Sequence, residues 1–191
     1  MALPPGPVVV LTREPEDNLE LGRQLAERGV PVLEIPCVAT KFLVPPAPLP
    51  HECGAVAFLS RRGVAGLVRL AGWERFLSAV PVAAVGRATA AALAAVGIRV
   101  ALVADPPTGE VLATKLLERV HKGASWTVAV VRGTQSVGAF DEVLTRAGVT
   151  VRSVEVYENV EPEIPALAPR PVAAAFVASP SAARRLLAYQ P

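Results

Sequence analysis

Three short turns in this sequence place a hydroxyl or a glycine between an apolar run and a helix-length segment. They are Ser60-Arg-Arg-Gly63, Gly86-Arg-Ala-Thr89 and Ser179-Pro-Ser181. Where a strand passes into a helix, the first backbone N–H groups of the helix have no partner inside it. With the helix dipole behind them, they bind a carboxylate or phosphate without any special side chain. Serine and threonine are also ordinary N-caps, and both uses stay open for each turn. Thr108-Gly-Glu110 begins a further helix, and capping accounts for it. Two arginines stand at strand ends, Arg13 and Arg132, the latter beside Gly133. Each is either a bidentate partner for ligand carboxylates or a solvated loop residue. Tyr157 ends the last apolar run before a proline-rich stretch. Its ring is either packing with a satisfied hydroxyl or a proton donor to a leaving group.

Other chemistries find no residues to carry them. His51 and His121 are far apart and in no ligand-spaced cluster, so no metal is expected. Cys37 and Cys53 are too few for a disulfide scaffold and read as small hydrophobes in a reducing cytosol. The chain has no G-x-G-x-x-G and no P-loop. With two histidines, no Ser/His/Asp set can be argued from spacing. The net charge of +2 gives no reason to expect nucleic acid or an acidic membrane surface. No apolar run approaches the ~20 residues of a membrane span, and no basic n-region suggests a signal peptide.

The elements that must position these residues repeat in one style. Apolar runs at Val8–Leu11, Val32–Ile35, Ala55–Leu59, Val82–Val85, Val100–Ala104, Thr127–Val131, Val149–Val156 and Val172–Val177 read as strands. Most are apolar throughout, as strands buried on both faces are. Helix-length segments lie between most of them, marked by Leu19, Leu21 and Leu25, by Val64, Leu67, Val68 and Leu70, and by Val111, Leu112, Leu116 and Leu117. Gly29, Gly97 and Gly148 read as left-handed C′ residues closing helices. Alternating strands and helices imply an α/β fold with parallel sheets. With 52% hydrophobic and 19% charged residues, 191 residues can bury such a core rather than stay disordered.

The 19 prolines cluster between the periodic segments, and two clusters divide the chain. The expected middle domain is 53–158. Residues 1–40 and 170–191 form one discontinuous outer domain, and 41–52 and 159–169 are the two linkers. Two α/β domains on a double linker make a cleft, a common place for a ligand. Ala55-Val-Ala-Phe-Leu-Ser60 and Ala174-Ala-Phe-Val-Ala-Ser179 resemble one another, as repeated units of two domains would.

In order along the chain, Thr12-Arg13, Gly29, Val32-Leu-Glu-Ile-Pro36, Leu59-Ser60, Val85-Gly86-Arg-Ala-Thr89-Ala90, Arg132-Gly133, Val156-Tyr157-Glu158 and Ser179-Pro-Ser181 match a known pattern. The chain resembles the uroporphyrinogen-III synthase family. It departs where Leu59 and Ala178 stand in place of threonine and Arg62 in place of asparagine. Family chains also continue past the Ser-Pro-Ser helix with a second Gly-x-x-Thr turn and two more strand–helix units.

The resemblance implies two flavodoxin-like parallel-sheet domains, the outer one incomplete here, and a cytoplasmic, monomeric lyase of tetrapyrrole and heme biosynthesis. Its substrate would be hydroxymethylbilane, a linear chain with eight carboxylates. The reaction loses water from the terminal ring, passes through a spiro intermediate, and closes the macrocycle with that ring inverted. No cofactor is implied. Tyr157 would be the acid for departure of hydroxide; tyrosine phenols, with pKa near ~10 in water, hold their proton at neutral pH. Arg13, Ser60, Gly86, Thr89, Arg132, Ser179 and Ser181 would bind substrate carboxylates. The alternative is a two-lobed protein that binds tetrapyrroles or small anions without turnover. An incomplete outer domain would leave an open edge at 172–177, exposed or used for self-association.

Overall fold

We describe a computed structural model of the chain, covering residues 6–50, 52–78, 80–119, 126–135, 138–163 and 171–188. His51 and His121 lie outside these residues, as does most of the second expected linker. In chain order the elements are β1 (Val8–Leu11), α1 (Pro15–Glu27), β2 (Val32–Glu34), β3 (Ala39–Phe42), β4 (Ala55–Phe58), α2 (Arg61–Leu67) and α3 (Trp73–Ser78). Then follow β5 (Val82–Ala84), α4 (Arg87–Ala95), β6 (Val100–Val103), α5 (Gly109–Leu117), β7 (Thr127–Gly133) and α6 (Ala139–Arg146). The last are β8 (Thr150–Val160), β9 (Val172–Phe176) and α7 (Pro180–Ala188). The chain divides into Met1–Thr40 with Asn159–Pro191, and Lys41–Glu158, so the divisions fall within β3 and β8.

The sheet of the larger unit has the order β3-β8-β7-β4-β5-β6. β4 pairs parallel with both β5 and β7, and β7 pairs parallel with β8. Every residue of β4 and β5, and all but the first of β7, is buried. Successive side chains of a strand point to opposite faces, so these apolar runs feed two cores at once. Val56, Phe58, Ala129 and Val131 face one core with Val64 and Leu67 of α2, Leu77 of α3 and Leu93 of α4. Ala55, Ala57, Val128 and Val130 face the other, with Leu112 and Leu116 of α5 and Phe140 and Leu144 of α6. The uniformly apolar runs thus have the cause expected of them, helices on both faces.

In the smaller unit β1 lies between β2 and β9 and pairs parallel with each. Val8, Val10, Ile35, Cys37 and Ala182 form its core. All residues of β9 are exposed, Val172 by 55% and Phe176 by 42%, and Leu187 of α7 by 75%. Among the described residues β9 has no strand on its far side.

Several expectations need correction. β3 overlaps the expected linker 41–52, yet it joins the large sheet beside β8. The lone Thr40-Lys41 pair in its middle hides its apolar alternation, and an edge strand needs only one covered side. The segment after β4 is two short helices, because Gly72 turns the chain at φ +79. Leu19 is 71% exposed rather than part of the buried face of α1. Gly29, Gly97 and Gly148 do take positive φ after helices. No helix among the described residues is long and apolar enough to cross a membrane.

The smaller unit carries its own reporter. Cys37 is fully buried, and burial pushes its thiol above the ordinary range. The thiolate is the reactive form. Cys53 is only half-buried, although burial raises its thiol too. Native protein should therefore label first at Cys53, and at Cys37 only as the smaller unit opens. Mass spectrometry of alkylated peptides along a urea series checks this; early labelling of Cys37 would contradict the packing.

Candidate functional site

The chain leaves β4 toward β5 and β6 on one side, then returns to β7 and β8 on the other. The carboxyl ends of β4 and β7 therefore flank the point where the winding reverses, the usual ligand position in a doubly wound sheet. Ser60 follows β4, Gly133 ends β7, and Tyr157 lies beside Gly133 on β8.

The placement of Tyr157 depends on an irregularity. The β7–β8 register runs Val131 to Val154 and Arg132 to Glu155, then shifts so that Gly133 meets Tyr157. One extra residue on β8 is accommodated at that step, which re-aims the following side chain. Val156 and Tyr157, consecutive residues that strict alternation would send to opposite faces, thus both join the core of α2 and α4. The amide of Thr134 donates to the Tyr157 carbonyl at 3.1 Å and holds the shifted register.

Two glycines make room for this arrangement. A Cβ on Gly133 would stand 2.6 Å from Cε2 and 2.8 Å from Cζ of the Tyr157 ring. A Cβ on Gly66 of α2 would stand 2.7 Å from the Val156 side chain. The ring therefore lies directly on the β7 backbone, and α2 settles closely on β8. The result is a contact between Ser60 Oγ and the Tyr157 hydroxyl at 3.0 Å, with Tyr157 only 7% exposed. Ser60 also caps α2, its Oγ accepting from the Gly63 amide at 3.0 Å.

The other expected residues fall in several places. Gly86 precedes α4 in extended backbone and packs against Pro107, where a Cβ would come within 2.8 Å. Thr89, in the first turn of α4, is 4% exposed. In the smaller unit Ser179 caps α7, its Oγ accepting from the Ala182 amide at 3.1 Å and lying 3.0 Å from Ser181 Oγ. Arg13 follows β1 and forms a half-exposed pair with Asp17 at 3.3 Å. Thr12, and Glu14, which the sequence did not single out, tie that turn down. Thr12 Oγ1 donates to the Phe176 carbonyl at 2.9 Å, and the Glu14 carboxylate accepts from the amide (2.6 Å) and hydroxyl (2.9 Å) of Thr40.

Arg132 has partners from two other elements. It is 4% exposed, donates to both oxygens of Asp141 (2.8 Å for Nη2–Oδ1), and also donates to Ser153 Oγ. A guanidinium held in this way ties α6 to the β7–β8 pair. Spacing could not reveal this, because Asp141 and Ser153 come from two other elements. At the opposite, amino end of β4 and β7, a cavity of about 650 Å³ opens beside Cys53, Trp126, Thr127 and Arg152. It lies at the opposite end of the sheet from Tyr157. Among the described residues, no His, Cys, Asp and Glu cluster could hold a metal ion.

A mainly parallel sheet with an apolar body, a hydroxyl pair where its winding reverses, and capped helices at neighbouring strand ends define a doubly wound α/β protein. The family model for uroporphyrinogen-III synthase HemD matches residues 20–191, and the chain belongs to that family. Its fold is similar to uroporphyrinogen-III synthetase from Helicobacter pylori (TM-score 0.70, 18% identity, 97% of this chain and 79% of that one). It is also similar to a mutant uroporphyrinogen III synthase from Thermus thermophilus (TM-score 0.60, 18% identity, 82% of this chain). The chain spans 64% of the length of that Thermus protein. No curated protein matches it in sequence.

Three substitutions probe this geometry. Gly133→Ala should lower stability by about 1–3 kcal/mol through overpacking against the Tyr157 ring, measured by urea denaturation. Asp141→Ala should cost about 3 kcal/mol by leaving a buried guanidinium without its carboxylate, and Arg132→Met distinctly less. Equal losses for the last two would show that the ion pair is not buried in solution.

Proposed function

We propose that this chain catalyses closure of hydroxymethylbilane to uroporphyrinogen III, with loss of water and inversion of the terminal ring. The observation that carries the reading is the Tyr157 hydroxyl, held against Ser60 where the larger sheet reverses its winding, in a chain of the uroporphyrinogen-III synthase family.

In this reading Tyr157 gives its proton to the departing hydroxyl of the bilane. A positioned acid contributes about 10²–10⁴-fold. The greater task is to hold a flexible polycarboxylate in one geometry, where orientation can remove much of the barrier. Carboxylates would be taken by the turn from Gly86 to Thr89 at the start of α4, and by Arg13, Ser179 and Ser181 in the smaller unit. α4 and α7 each run nine residues, long enough for the N-terminal amides and dipole to favour an anion. Arg132 serves from behind, keeping β7 and β8 in the register that presents Tyr157. The exposed edge of β9 would be the surface for any self-association.

The test is incubation with freshly generated bilane, oxidation to porphyrins and chromatographic separation of isomers. The type III isomer should dominate, and Tyr157→Phe should lower kcat by about 10²-fold or more. Only the spontaneously formed type I isomer from the wild-type chain would refute the reading.

A further inference from the structure

We infer that Ser60 acts on the reaction through Tyr157 and not on the substrate, as the hydrogen-bond donor that stabilises the phenol oxygen once its proton has left. The inference rests on the reading of Tyr157 as the acid. It assigns Ser60 a different use from the carboxylate ligand that its place in the family pattern suggests.

The argument is one of hydrogen-bond capacity. A serine hydroxyl offers one O–H and two lone pairs. Ser60 Oγ already accepts from the Gly63 amide at 3.0 Å. Accepting that bond polarises the oxygen and makes its own O–H a better donor. Its second contact, 3.0 Å away, is the Tyr157 oxygen. Either oxygen can donate in that contact; in the arrangement inferred, the donors run from the Gly63 amide to Ser60 and from Ser60 to Tyr157, and the phenol proton is not spent on the serine.

That proton is then available to the substrate. The Tyr157 O–H bond breaks, and the proton goes to the hydroxyl of the terminal hydroxymethyl group. The C–O bond breaks with its electron pair on the departing water, and the positive charge remains on the bilane's terminal pyrrole. The proton that the bilane loses on closing the ring restores the phenol. During the first step the acceptor of the Ser60 bond changes from a neutral phenol to a phenolate. A charge-assisted bond is about twice as strong as a neutral one. An interaction that strengthens only toward the transition state raises kcat and leaves KM in place. A substrate carboxylate at Ser60 would need the same O–H, the only one it has, so the two uses exclude each other.

The experiment is a double-mutant cycle of Ser60→Ala and Tyr157→Phe in the full chain, read in two ways. In bilane turnover, Ser60→Ala should lower kcat about 10- to 100-fold, as expected for a hydrogen bond to a charged group. KM should stay within about twofold, Ser60→Thr should recover most of the rate, and Ser60→Ala should cost nothing more in the Tyr157→Phe background. In urea unfolding, the two single substitutions should be non-additive, because they remove the same bond. If Ser60→Ala does not fold, Ser60→Gly, which an N-cap tolerates, is read in its place.

A raised KM, or an undiminished loss in the Tyr157→Phe background, would place Ser60 on the substrate and overturn the inference. Strict additivity in urea would overturn it whatever the activity. A wild-type chain that yields only type I isomer while the unfolding coupling persists would instead overturn the acid assignment, and the inference with it. The two failures are thus told apart.

Discussion

The parallel pairing of β4 with β7, covered by helices on both faces, is the constraint on which the larger unit depends. Backbone N–H and C=O groups at that depth must be paired within the sheet, because water cannot reach them. Side chains along those strands must be apolar, because each face is a core. Polar groups are displaced to the strand ends, where the first helical amides have no partner inside their own helix. The sheet thus concentrates hydroxyls and helix N-termini where its winding reverses. Arg132 is the exception that shows the rule: one guanidinium so deep in the sheet is held by Asp141 and Ser153 from two neighbouring elements.

Within that frame the site is shaped by contacts that leave no room for a methyl group. The Tyr157 ring rests on Gly133, and Gly66 lets α2 approach Val156. These glycines are needed for closeness and not for unusual backbone angles, since neither takes a positive φ. The register step at Arg132 and Gly133 adds what packing alone could not, turning Tyr157 to the side on which Ser60 lies. A chemical pair 97 residues apart in sequence is made by a bulge and two absent side chains.

The smaller unit repeats the design with less material. β1 is its central strand, and the turn after it is fastened by Thr12 to β9 and by Glu14 to Thr40. Arg185 donates to the Cys37 carbonyl at 2.6 Å and draws α7 onto the same core. One side of β9 remains without a strand among the described residues, and its apolar side chains are correspondingly exposed.

Much of this was readable from the residues in order. Uniform apolar runs separated by amphipathic segments and closed by Gly29, Gly97 and Gly148 implied parallel strands with helices on both sides, because burial on two faces permits little else. Eight of the nine strands among the described residues were legible on that ground, and the capping turns at Ser60, Thr108 and Ser179 were legible from local chemistry. β3 was not, since an edge strand with Thr40 and Lys41 carries no such signature. Nor could sequence distinguish Arg132 from Arg13: both come directly after or near the end of an apolar run, and only the fold brings Asp141 and Ser153 to one and leaves the other half-exposed. Period-two alternation would even have sent Tyr157 to the face opposite Val156. Local patterns determine which segments are strands, helices and caps, because those depend on neighbours in the chain. Which side chain meets which was decided by the tertiary structure alone, through register and close packing between segments a hundred residues apart.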